Sequence, residues 1–125
     1  MLLGEHPELE KEFRIPPMNV PMRLKYMFQY RICTIIDVDE KNRNVQIWNY
    51  TRNPIYRAFG IKEHPTFQEY EEFLESRCFP RTRDKLKIEL EQLNIPFYDP
   101  LLIIEKTEGR MAEDDFWLEI ERKKI

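Results

Sequence analysis

The residues with the most evident chemical potential crowd around one proline. Arg77-Cys78-Phe79-Pro80-Arg81-Thr82-Arg83 is followed closely by Lys85 and Lys87. A guanidinium is a planar fork of donors that matches a carboxylate or a phosphate in two places at once. Apolar spacing marks a helix on each side of Pro80, so the stretch has the outline of a helix-turn-helix. Three uses of the cations stay open. Arg81 and Arg83 could grip phosphates, helped by amide donors at the start of the second helix. Arg77, Phe79, Pro80, Arg81 and Arg83, with Lys85 and Lys87, could instead form a partner-binding surface. Alternatively, Arg77 and Arg83 could be fixed by the acids Glu113-Asp114-Asp115. Asp114, Asp115 and Trp117 would then act as a structural lock.

Other reactive residues do not converge. Each of the two histidines, His6 and His64, precedes a proline, and neither has a Cys or Asp at ligand spacing. A zinc site needs about four ligands in fixed geometry, so no metal and no cofactor is expected. Cys78 and His64 flank one helix of about a dozen residues, roughly 18 Å long, which holds them apart. Glu113-Asp114-Asp115 reads as solvated acid rather than as an acid/base pair. No catalytic residue is assigned, and the chain is expected not to be an enzyme. Three glycines in the whole chain leave no phosphate-cradling loop.

These groups must be positioned by a small fold. The 125 residues suit one domain, and 42% hydrophobic residues suffice for a core without disulfides. The net charge of −3 is weak, so a nucleic-acid site would have to be a local patch. The start, Met1-Leu2-Leu3-Gly4-Glu5-His6-Pro7, lacks the form of a signal peptide. No apolar run approaches the ~20 residues of a membrane span. A cytoplasmic protein with reduced cysteines and no membrane contact is expected.

The expected fold class is α+β. Residues 1–25 read as a Pro-rich extended arm, because prolines at 7, 16, 17 and 21 deny it regular structure. Residues 26–122 read as a single α+β domain and 123–125 as a frayed tail. Within the domain, 26–38 reads as one strand, with Tyr30, Ile32, Thr34, Ile36 and Val38 on one face and Arg31, Cys33, Ile35 and Asp37 on the other. A turn over 39–44 and an alternating strand over 45–50 complete a β-hairpin. Ile55–Gly60 is a short apolar piece. Thr66 and Glu69 form a capping box that opens a helix. A second helix starts near Thr82 or Arg83. Asp99 and Pro100 are N-cap and first residue of a third, which Gly109 ends. Residues 115–120 form a closing extended segment.

These motifs together resemble the N-terminal, non-catalytic region of HipA-like serine/threonine kinases from Gram-positive bacteria. The resemblance rests on Phe73-Leu74-Glu75-Ser76-Arg77-Cys78-Phe79-Pro80-Arg81-Thr82-Arg83, the leucine-rich helix after it, Leu101-Leu102-Ile103-Ile104, Gly109, and Asp114-Asp115-Phe116-Trp117-Leu118. It runs in order from about Tyr26 to Ile120. The kinase's catalytic-loop Asp and Asn, metal-binding Asp and phosphate loop have no counterpart in these residues. The resemblance therefore implies a stand-alone version of that module.

The expected function is a non-catalytic protein-binding regulator, antitoxin-like toward a HipA-like kinase or another bacterial defence component. The aromatic side chains Trp48, Tyr50, Tyr56, Phe59, Phe97, Tyr98 and Trp117 offer candidate interface anchors. Two alternatives remain: a small nucleic-acid-binding protein using the Arg77–Lys87 patch, and a phage or mobile-element inhibitor of a defence nuclease. The oligomeric state is not legible.

Overall fold

The computed structural model describes residues 14–123. The first half of the expected arm therefore lies outside the described residues. Strands β1 (Met22–Phe28), β2 (Arg31–Asp39) and β3 (Asn44–Asn49) are followed by helices α1 (Phe67–Ser76), α2 (Leu86–Gln92) and α3 (Pro100–Thr107), then by strand β4 (Phe116–Arg122). The sheet is antiparallel with the order β3-β2-β1-β4, so the last strand returns beside the first. The fold is α+β.

Two expectations about the strands are corrected. The single strand over 26–38 is two strands joined by a tight turn at Gln29 and Tyr30. β1 also begins at Met22, inside the stretch read as an arm. The chain from Met22 to Asp39 carries no Gly or Pro, so nothing punctuates it. Gln29 makes the turn by taking a φ of 55° without being glycine. The expected alternation in β2 also breaks. Tyr26 pairs with Thr34 and Met27 with Ile32, leaving Cys33 as the extra residue of a bulge.

The sheet's two faces are covered differently. Leu24, Tyr26, Ile36, Val38 and Leu118 pack under the helices. Tyr26 stacks on Phe116 at 4.7 Å and meets Phe73 of α1 edge-on at 5.1 Å. On the opposite face, Arg23 and Asp37 stand directly across from each other on β1 and β2. Residues 14–21 run alongside without regular structure. Arg23 donates from Nη1 to the Pro16 carbonyl at 2.8 Å, and the Tyr50 hydroxyl donates to the Arg14 carbonyl at 3.1 Å. Prolines cannot extend the ladder from this segment, but their carbonyls accept from side chains.

Helix α1 starts as its sequence dictates. Thr66 Oγ1 accepts from the Glu69 amide at 3.1 Å, and the Glu69 carboxylate accepts from the Thr66 amide at 2.9 Å. Tyr70, Phe73 and Leu74 form its buried face. Asp99 caps α3 through the amides of Leu101 and Leu102, and Ile103 and Ile104 are buried. Helix α2 begins later than expected, at Leu86, because Lys85 turns left-handed at φ 62°. The short piece at Pro54–Tyr56 is a single 3-10 turn, and Tyr56 meets Phe28 at 5.0 Å. Among the described residues, no helix is long and apolar enough to cross a membrane.

Candidate docking groove

Helix α1 ends at Arg77, whose side chain turns inward. It donates from Nε to the Gly109 carbonyl at 3.0 Å and from both terminal nitrogens to Asp114 at 2.9 and 3.0 Å. A further bond reaches the Phe116 carbonyl at 3.0 Å. Asp114 Oδ1 also accepts from the Phe116 amide. One guanidinium thus joins the end of α1, the loop after α3 and the start of β4. The Arg77 bond holds the Asp114 carboxyl below the usual carboxylate range. Arg77 is only 7% exposed, so it faces its own fold rather than a partner.

Gly109 permits this junction. It adopts φ 63°, and a Cβ there would sit 3.2 Å from Leu118 Cδ1 and 3.4 Å from Arg77 Cβ. The preceding residue, Glu108, already carries the left-handed turn that ends α3, and its carbonyl accepts from the Leu118 amide at 2.7 Å.

The remaining residues of the corner diverge from Arg77. Arg83 does not reach the acids at 113–115. It pairs with Glu89 of α2 at 3.3 Å and lies over the Phe79 ring at 5.7 Å. Arg81 pairs with Glu75 at 3.7 Å and stacks over Tyr98 at 4.4 Å. Tyr98 is itself anchored, donating from its hydroxyl to the Phe79 carbonyl at 2.7 Å. Pro80, Lys85 and Lys87 are exposed, and the two lysines have no ion-pair partner among the described residues. Helix α2 has seven residues and no side-chain cap. Asp115 and Trp117 bind elsewhere again. Asp115 accepts from the Gln29 side chain at 3.2 Å, and Trp117 Nε1 donates to the Gln29 carbonyl. Both tie β4 to the β1–β2 turn.

What the structure does bring together is a groove of about 1240 Å³. Glu72 and Glu75 of α1 line one wall. Thr107, Arg110 and Met111, at and beyond the end of α3, line the other. The corner from Phe79 to Arg83 closes one end, and Cys78 and Ile103 form the buried floor. Arg110 was not legible as part of this surface, since it lies 29 positions after Arg81 in the chain. Its only sequence signal is its place directly after Gly109. It stacks over Trp117 at 4.8 Å and pairs with Glu108 at 2.8 Å.

The cysteines do not form a reactive centre here. Burial pushes the Cys33 thiol up to about 11 and the Cys78 thiol up to about 12, so both stay protonated and weakly nucleophilic at neutral pH. Cys78 donates to the Leu74 carbonyl at 3.3 Å. Among the described residues, no cluster of His, Cys, Asp and Glu could hold a metal ion. Of the candidate aromatic anchors, Tyr50 is buried and Phe97 is 58% exposed. Tyr30, expected within a strand beside Ile32 and Thr34, instead sits 80% exposed at the β1–β2 turn.

Comparison with protein-family models, with curated proteins and with solved structures finds no match to this chain.

Proposed function

We propose that this protein is a non-catalytic, cytoplasmic protein-binding regulator that docks a partner in the groove between α1 and the α3–β4 loop. The observation that carries the reading is the groove itself. At about 1240 Å³, it exceeds the ~300–1,000 Å³ of a typical small-molecule site. Its floor is apolar and its rim is charged, the pattern of a protein interface. The buried, protonated thiols support a binding role over nucleophilic catalysis. The sequence resemblance nominates a HipA-like kinase as the partner, with the chain acting in the manner of an antitoxin; another defence component would use the same surface.

Nucleic acid fits this groove less well. Glu71, Glu72 and Glu113 line it beside the arginines, and these acids repel a polyphosphate backbone.

The test is calorimetric titration of the folded chain with the purified catalytic domain of a HipA-like kinase. Saturable binding is expected, weakened about tenfold by the double change Arg81→Ala and Arg83→Ala. Absence of binding would remove the kinase from the reading. Binding to an oligonucleotide that falls steeply with salt would replace protein docking with nucleic-acid recognition.

A further inference from the structure

A second, smaller pocket lies where α1, the β2–β3 turn and the start of α3 meet, and shares only Glu71, Glu75 and Arg81 with the docking groove. It holds about 560 Å³, within the ~300–1,000 Å³ of small-molecule sites. Tyr70 of α1 lines it. This residue is 1% exposed, and its buried hydroxyl has no hydrogen-bond partner among the described residues. A buried hydroxyl left unpaired costs free energy, so such groups in folded proteins nearly always have a partner. The hydroxyl end of Tyr70 also senses the pocket's acids. Burial first, and then the charges of Glu40, Glu71 and Asp99, raise the phenol's pKa, with Arg122 opposing them. Those three carboxylates line the same pocket. The phenol therefore stays protonated at neutral pH, with its oxygen lone pairs free to accept.

Among the described residues, four carboxylates and two guanidiniums line this pocket, a formal charge of −2. The guanidiniums are already matched. Arg43 pairs with Glu71 at 3.6 Å and lies over Phe67 at 4.4 Å. Arg81 pairs with Glu75 at 3.7 Å and lies over Tyr98 at 4.4 Å. Both rings line the pocket as well. Two acids are left over. The Glu40 carboxylate has no ion pair among the described residues. Asp99 caps α3 through Oδ1 alone, at 2.9 and 3.3 Å, which leaves Oδ2 unused. The unspent groups are thus three acceptors, two of them anionic: Glu40, Asp99 Oδ2 and the Tyr70 hydroxyl. An alkylammonium carries three donors and one positive charge, so it matches them in number and in sign. A carboxylate or phosphate would meet two unpaired acids and is disfavoured.

We infer that this pocket binds a small aliphatic primary amine, its ammonium group held by Glu40, Asp99 and the Tyr70 hydroxyl. Leu74 and Leu101, which line the same pocket, receive the alkyl part. The site stands apart from partner docking, because Glu40, Tyr70 and Asp99 do not line the groove.

The test titrates butylammonium, butyltrimethylammonium and butanol onto the isotope-labelled full chain while amide shifts are followed. The trimethyl compound keeps the charge and the chain but has no N–H donor. Butanol keeps the chain and loses the charge. Butylammonium is expected to give saturable shifts at residues 40–43, 67–75 and 98–101, binding about tenfold more tightly than either control. Tyr70→Phe removes only the hydroxyl. It should weaken butylammonium about fivefold and leave denaturant stability undiminished, since no internal bond is lost. Glu40→Gln, on an exposed turn, should weaken it about tenfold and decides the matter if Tyr70→Phe misfolds. Equal binding of butylammonium and its trimethyl analogue, or insensitivity to Glu40→Gln, overturns the inference. So does the absence of saturable shifts, which would assign the Tyr70 hydroxyl to an ordered water only. A capped Gly-Lys-Gly peptide offers the same ammonium on a protein side chain. It is expected to bind more weakly than butylammonium, and tighter binding would replace the small amine with a partner's lysine.

Discussion

Two arginine–aspartate pairs, one sealed and one partly open to water, sit on opposite sides of the sheet, and they do different work with the same chemistry. Arg23 and Asp37 are 3% and 4% exposed in their side chains, and they join at 2.6 and 2.9 Å. They bridge two strands that the β1–β2 ladder already holds together, and the guanidinium's spare donors face the carbonyls of Pro16 and Pro17. Arg77 and Asp114 are 7% and 30% exposed. They bridge elements that are remote in the chain and share no strand pairing. The first pair secures a segment laid over a finished sheet. The second sets the angle between α1 and the α3–β4 loop, and so the width of the groove. An ion pair's structural consequence depends on what else holds its two ends.

The largest effect is expected from Asp37→Ala. It strands the Arg23 charge in a sealed site and should cost about 3–5 kcal/mol in denaturant unfolding. Groove binding should survive in the folded fraction, because the pair lies on the far face. Arg77→Ala comes next, at about 2–4 kcal/mol, reduced because Asp114 is partly open to water and can be solvated. Unlike Asp37→Ala, it should also weaken partner binding in protein that remains folded.

The Arg77 pair carries a pH signature. The Asp114 carboxyl lies below its unfolded value of about 3.9 because Arg77 bonds it. Its contribution is therefore present above that value and is lost as pH falls through the lower folded value. Unfolding measured from neutral to strongly acid pH should show this loss, and Asp114→Asn should flatten it.

Gly109→Ala should cost about 1–2 kcal/mol, from a strained left-handed backbone and a Cβ pressed toward Leu118. Arg81→Ala should change stability least, by roughly 0.5 kcal/mol or less, because its pair is exposed. Its effect belongs to binding. A marked loss of stability there would make Arg81 a second structural arginine and erase the contrast with Arg77.

Much of the fold was legible because local chemistry and global structure agree. Thr66 with Glu69 and Asp99 with Pro100 satisfy helix-start amides within three residues, so no distant context is needed. The β1–β2 turn was not legible, because Gln29 takes a conformation that sequence reading assigns to glycine. The start of α2 was misplaced for the same reason at Lys85. At the site, the acids around Asp114 could be named as partners for arginine, yet chain order could not say which arginine turns inward. Arg77 does so because it ends the helix that packs on the sheet; Arg83, six residues on, has already left it. Arg110 escaped notice because the groove joins segments on either side of α3, a juxtaposition that exists only once β4 has closed the sheet.

The most direct test of the groove as the docking surface is hydrogen exchange of the full chain, free and bound to the HipA-like kinase domain. Protection confined to residues 68–83 and 107–113, with the sheet face around Arg23 unchanged, is the result expected. Protection centred on residues 14–23 or on β3, with the groove exchanging as in the free chain, contradicts the account.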